Sequence, residues 1–127
     1  MRILLADHQV QLRNALTSLL ARYPVFEIAG EVSRSVDLER SVEQSLPDVI
    51  LLDLSLPGLE AGAVLPKFKQ SNPNLIVIGM GSNSNEQTQG LYPGLDAYIT
   101  KREPADKLLK LLRKYAHTFH ASANEKV

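Results

Sequence analysis

The chain contains no cysteine. Disulfides, thiolate nucleophiles and cysteine-ligated zinc are excluded at once, and the lack of disulfides suits a cytosolic setting. Net charge is missing as well, because 14 Lys+Arg balance 14 Asp+Glu. A neutral chain lacks the global electrostatic footprint that binding to nucleic acid or to an anionic membrane leaves. Nor are there long hydrophobic runs. The apolar stretch in the opening Met1-Arg2-Ile3-Leu4-Leu5-Ala6-Asp7 is far too short for a signal peptide, and no window approaches a membrane span. The expectation is a cytoplasmic protein with no membrane segment and no direct nucleic-acid binding by these residues. With 127 residues, 44% hydrophobic and 22% charged, the chain suits one domain with a single sizeable core.

What is present is an alternation of apolar runs and helical patterns, five times over. Ile3–Ala6 reads as a strand. Leu12, Ala15, Leu16, Leu19, Leu20 and Tyr23 then recur at helical spacing, and Pro24 follows them. Phe26–Val32 alternates like a strand. The polar helix after it has Val36, Val42 and Leu46 as its apolar positions, Ser33 or Ser35 available as a cap, and Pro47 at its end. Val49-Ile50-Leu51-Leu52-Asp53-Leu54 is the most apolar short run, and Pro57-Gly58 marks a turn beyond it. A helix is expected from about Glu60 to Ser71, loosened or kinked in its first turns by Pro66. Leu75–Gly79 is the fourth strand and Ala97–Thr100 the fifth. Between them, the polar Ser82–Gly90 predicts only a short, weakly held helix. Pro104 opens a last helix with Ala105, Leu108, Leu109, Leu112, Tyr115 and Ala116 as its stripe. Residues 1–116 are expected to form the domain, and 117–127, polar and small, a tail or linker.

Near-continuous apolar strands alternating with helices imply an α/β fold, a five-stranded parallel sheet covered on both faces. Ligand sites in such sheets lie beyond the strand C-terminal ends, where the strand order reverses. Asp7 ends strand one, Asp53 ends strand three, Gly81-Ser82 follow strand four, and Thr100-Lys101 end strand five. Two carboxylates held together repel unless a cation stands between them. Lys101 supplies one positive charge, and a hard divalent ion such as Mg2+ would supply more. One carboxylate could then attack a phosphoryl group, since aspartate forms acyl phosphates, with lysine and metal neutralising the phosphoryl oxygens.

This constellation resembles the receiver domain of two-component response regulators, the CheY-like, flavodoxin-like (βα)5 fold with strand order 2-1-3-4-5. "ILLADHQVQLR" (Ile3–Arg13) is similar to the strand-one motif of that family, "PDVILLDLSLPG" (Pro47–Gly58) to the phospho-acceptor segment, and "DAYITK" (Asp96–Lys101) to the lysine segment. The likeness runs from about Arg2 to Tyr115. The opening motif and "GEVS" (Gly30–Ser33) are most similar to receivers attached to LuxR-type helix-turn-helix domains.

The resemblance implies roles residue by residue. Asp53 is the phospho-acceptor. Asp7, Asp53 and the backbone carbonyl of Ser55 hold Mg2+, Lys101 pairs with the phosphoryl group, and Tyr98 is the aromatic whose rotamer reports phosphorylation. It further implies a histidine kinase or small phosphodonor as partner, and a DNA-binding output domain, fused or separate, regulating transcription. Leu111, just off the last helix's stripe, adds apolar surface for an interface such as a homodimer. A receiver of this kind is not usefully called an enzyme.

Two departures stand out. The family's second acid aligns with His8, and neutral imidazole suits borderline metals, so Mg2+ binding should be weakened or lost. A solvated loop histidine, or a proton-dependent charge beside Asp53, are the other readings of His8. The family's switch Ser or Thr aligns with Gly81 counting forward from Asp53, leaving Ser82 as the substitute hydroxyl. These departures favour an alternative function, a degenerate receiver serving as a phosphorylation-independent interaction module. A flavin- or nucleotide-binding protein would need a Gly- or Ser/Thr-rich phosphate loop after strand one, and "ADHQVQ" (Ala6–Gln11) offers none.

Overall fold

The computed structural model describes residues 1–82 and 92–125, with side chains described as far as Thr118. In chain order the elements are β1 (Arg2–Ala6), α1 (Val10–Leu20), β2 (Glu27–Val32), a 3-10 turn (Ser35–Asp37), α2 (Leu38–Ser45), β3 (Val49–Asp53), α3 (Ala61–Ser71), β4 (Ile76–Gly81), β5 (Ala97–Thr100) and α4 (Ala105–Glu125). The five strands form one parallel sheet in the order β2-β1-β3-β4-β5. β1 and β3 are central and buried on both faces, which is why they read as unbroken apolar runs rather than alternations.

Their side chains still alternate in direction and so feed two separate cores. Ile3, Leu5, Val49, Leu51, Ile78 and Met80 pack with Leu16 and Leu20 of α1 and Leu108, Leu112 and Ala116 of α4. Leu4, Ala6, Ile50, Leu52 and Val77 pack on the other face with Leu38 of α2 and with Leu65 and Phe68 of α3. The register pairs Ala6 with Leu52, Asp53 with Met80 and Gly81 with Thr100. The C-terminal ends of β1, β3, β4 and β5 therefore lie side by side along one edge.

Several local expectations need correcting. Neither Ser33 nor Ser35 caps α2, whose N-cap is Asp37, without a side-chain hydrogen bond. Ser35 instead lies against the turn after β3: its amide donates to the Pro57 carbonyl at 3.2 Å, and a Cβ built on Gly58 would meet its hydroxyl at 2.6 Å. Gly58 also has φ +79°, so only glycine takes that place without strain. The helix expected from about Glu60 to Ser71 is present as α3 with Pro66 inside it, and Leu65 and Phe68 on either side are buried. The stretch from His117, expected to be a tail, has helical backbone as far as Glu125. α2 ends at Leu46 in the left-handed region, φ 48°, immediately before Pro47. The weak helix expected within Ser82–Gly90 lies outside the described residues, apart from Ser82 itself. Among the described residues no helix is long and apolar enough to cross a membrane.

Candidate functional site

The same short device stands at the end of both central strands. The Gln9 amide donates to Asp7 Oδ1 at 2.8 Å, and the Ser55 amide donates to Asp53 Oδ1 at 2.8 Å. Each carboxylate thus accepts from the amide two residues on, an Asx turn that fixes its rotamer. With one oxygen tied to backbone, the second oxygen of each acid is left for the other occupants of the edge. Asp7 is 1% and Asp53 0% exposed. Unit charges about 4 Å apart repel by about 4 kcal/mol at an effective dielectric near 20, so two buried anions at one edge call for a cation between them.

Lys101 provides it. Its amide donates to the Gly81 carbonyl at 2.8 Å, carrying the β4–β5 ladder one step past β5 and directing the side chain over the edge. The ammonium lies 2.9 Å from Asp7 Oδ2 and 3.3 Å from Asp53 Oδ2, and it donates to Gln9 Oε1 at 2.8 Å. His8 completes the ring. Its Nδ1 lies 2.7 Å from Asp53 Oδ2 and 3.9 Å from Asp7 Oδ1. Burial alone would raise the Asp53 carboxyl, but the Ser55 amide, His8 and Lys101 outweigh it and hold the group below the ordinary aspartate value. Asp53 is therefore an anion in the folded protein at neutral pH.

The structure brings Asp7, His8, Asp53 and Lys101 together, with Ser55 adjoining through its amide. Ser82, by contrast, is exposed, and among the described residues no contact joins it to the acids. Gly81 is buried, and a Cβ built on it would lie 2.5 Å from the Tyr98 hydroxyl. The phenol of half-buried Tyr98 occupies the space that a side chain at position 81 would fill. Two contributors were not singled out from the sequence. Gln9 supplies both an amide to Asp7 and a carbonyl to Lys101, and Arg13 donates to the Asp7 carbonyl from the first turn of α1. Both lie within "ILLADHQVQLR", and their closeness to Asp7 was the available signal.

One donor atom from each of Asp7, His8 and Asp53 lies within 4.8 Å of the others. Asp7 Oδ2 is buried and accepts no well-formed hydrogen bond, although the Lys101 ammonium stands beside it. An entering ion would have to compete with Lys101 for that oxygen. The donors are two carboxylates and an imidazole, and Mg2+ demands an oxygen-only octahedron. These residues fit Mg2+ poorly.

A parallel 2-1-3-4-5 sheet with an acid pair and a lysine at one edge defines a class of signalling domain. The model of the response regulator receiver domain matches residues 3–113, and the chain belongs to that family, whose members bind Mg2+ at an acidic site. Among its relatives, the nitrate/nitrite response regulator protein NarL of Escherichia coli (strain K12) is 29% identical over 119 residues, covering 90% of this chain and 54% of that protein. The transcriptional regulatory protein YhcZ of Bacillus subtilis (strain 168) is 30% identical over 112 residues, covering 87% of this chain and 52% of that protein. The chain thus spans about half the length of these relatives. In fold it matches a LuxR-family DNA-binding response regulator from Staphylococcus aureus, with TM-score 0.78, 24% identity, and 91% and 98% of the two chains covered. A LuxR-family two-component response regulator from Aurantimonas sp. SI85-9A1 superposes with TM-score 0.81 at 19% identity, covering 92% and 85%.

Proposed function

We propose that the domain accepts a phosphoryl group on Asp53 from a histidine kinase or a small phosphodonor, and so regulates an output such as transcription. The single observation that supports this most is the Lys101 ammonium held within 3.3 Å of both carboxylates. An Asp53 oxygen attacks the donor phosphorus, the donor bond to phosphorus breaks, and Lys101 is in place to neutralise charge on the transferring group. Asp53 is anionic at neutral pH, as a nucleophile must be. His8 has to leave Asp53 Oδ2 for a phosphoryl group to take its place. The backbone carbonyl of Ser55 remains a proposed cation ligand and Tyr98 a proposed reporter of the modified state. The relatives' extra length supports an output domain joined beyond residues 1–116, with 117–127 leading to it. Incubation with a small phosphodonor and a divalent ion, followed by intact-mass measurement, is the test. One added phosphoryl mass on the native chain and none on Asp53→Asn is expected, and no addition to the native chain overturns the reading.

A second reading, a phosphorylation-independent interaction module, is favoured by one observation. The His8 Nδ1 contact at 2.7 Å already occupies the free oxygen of Asp53 with one of the chain's own groups. A module of this kind keeps its partner binding in Asp53→Ala, whereas a phosphoryl switch loses its response.

A further inference from the structure

The pocket's chemistry departs from Mg2+ at one residue, and that residue has a consequence for which ion enters. We infer that the Asp7–His8–Asp53 cluster is a site for a borderline divalent transition ion of the Zn2+ or Co2+ kind, with His8 Nδ1 as its selective ligand. Imidazole nitrogen together with carboxylate oxygens is the donor set such ions take, whereas hard Mg2+ gains little from nitrogen.

The geometry is close to what coordination needs. Bonds of about 2.1 Å at tetrahedral angles set donor pairs about 3.4 Å apart. The three donors all lie within 4.8 Å of one another, and His8 Nδ1 is already 2.7 Å from Asp53 Oδ2. Closing the widest pair to that spacing takes a movement of up to about 1.4 Å, which falls to the half-exposed His8 ring and the carboxylates. Gln9 and Ser55 amides fix Oδ1 of each acid, so Oδ2 of Asp7, now beside Lys101, and Oδ2 of Asp53, now beside His8 and Lys101, are the corners an ion would take over. Asp7 Oδ2, on a residue only 1% exposed, lacks a well-formed hydrogen bond. An arriving ion replaces the His8–Asp53 hydrogen bond with two bonds to metal. It also displaces Lys101 from between the acids, and Gln9 Oε1, which already accepts from that ammonium at 2.8 Å, keeps it partnered. His8 is half-exposed, so its ring can pivot without disturbing the core.

The inference shares its pocket with the phospho-acceptor reading and rests on it only there. Metal isotherms need no phosphodonor, so either can fail alone. The full chain is titrated at one fixed pH by calorimetry with Zn2+ and with Mg2+, and by the visible absorption of Co2+. The other histidines are His117 and His120, and the H117A/H120A chain controls for them. One ion per chain is expected, unchanged in H117A/H120A. His8→Ala should weaken Zn2+ and Co2+ at least about tenfold. His8→Asp should strengthen Mg2+ by a similar factor and so narrow the Zn2+/Mg2+ ratio. Circular dichroism confirms that both variants are folded, and either one alone suffices to decide. Zn2+ affinity indifferent to His8, or lost in H117A/H120A as adventitious surface binding would be, overturns the inference.

Discussion

His8 Nδ1 stands 2.7 Å from Asp53 Oδ2, so the side chain that replaces an expected acid bonds directly to the expected nucleophile. Beside it, Lys101 reaches both Asp7 and Asp53. Two buried carboxylates are thereby matched by groups from the chain itself, and the stability of the sheet edge depends on that match.

Removing the ammonium exposes the dependence. Lys101→Met leaves two buried anions facing each other, and a loss on the order of 3 kcal/mol is expected in urea unfolding. In an Asp7→Asn background the repulsion is already relieved, so the same substitution should cost clearly less. Equal costs in the two backgrounds would mean that Lys101 does not act on the acid pair.

Acid should weaken the fold through Asp53. Its folded-state value lies below the ordinary 3.8, so ionised Asp53 favours the folded state. That contribution is complete above the unfolded value and is lost as the pH falls through the lower, folded value. Urea stability followed from about pH 5 downward should fall more steeply for the native chain than for Asp53→Asn. Parallel curves would remove the assignment.

Gly81 and Tyr98 should be coupled. A Cβ at 81 would lie 2.5 Å from the phenol oxygen but 3.3 Å from its ring carbon. Gly81→Ala is therefore expected to destabilise by about 1 kcal/mol with Tyr98 present and by less in Tyr98→Phe. The double-mutant cycle measures the difference, and additive effects would contradict the contact.

The last helix should divide at the end of its buried stripe. Leu112 is 0% and Ala116 4% exposed, and Ala116 is the last buried side chain described. Leu112→Ala should cost about 2–5 kcal/mol, whereas a chain ending at Thr118 should unfold with one cooperative transition of unchanged denaturant dependence. A broadened transition would place residues 119–127 within the cooperative unit.

The fold was legible because its two central strands need no context. Ile3–Ala6 and Val49–Leu52 are apolar on both faces, a pattern few structures other than a covered parallel sheet accommodate. The convergence of Asp7, Asp53 and Lys101 was legible too, since strand C-terminal ends share an edge in that topology. Capping was not. Ser35 has the right chemistry for a cap, but the positive-φ turn at Gly58 draws it into a tertiary contact that no local pattern encodes. The α3 helix, by contrast, was legible despite Pro66, because the spacing of Leu65 and Phe68 marks its buried face. The bond between His8 and Asp53 joins residues 45 apart in sequence and depends on a ring rotamer. Alignment against a pattern showed only that an acid was missing at position 8.

The most direct test follows the backbone amides of Gln9, Ser55 and Lys101 in 1H–15N spectra while a small phosphodonor is added to protein already equilibrated with a divalent ion. These amides bind Asp7, Asp53 and the end of β4, three separate strands. A single pocket that takes a phosphoryl group on Asp53 predicts that all three resonances move together and that none moves in Asp53→Asn. Movement at Ser55 alone, or unchanged spectra under conditions that modify an ordinary receiver, would contradict the account.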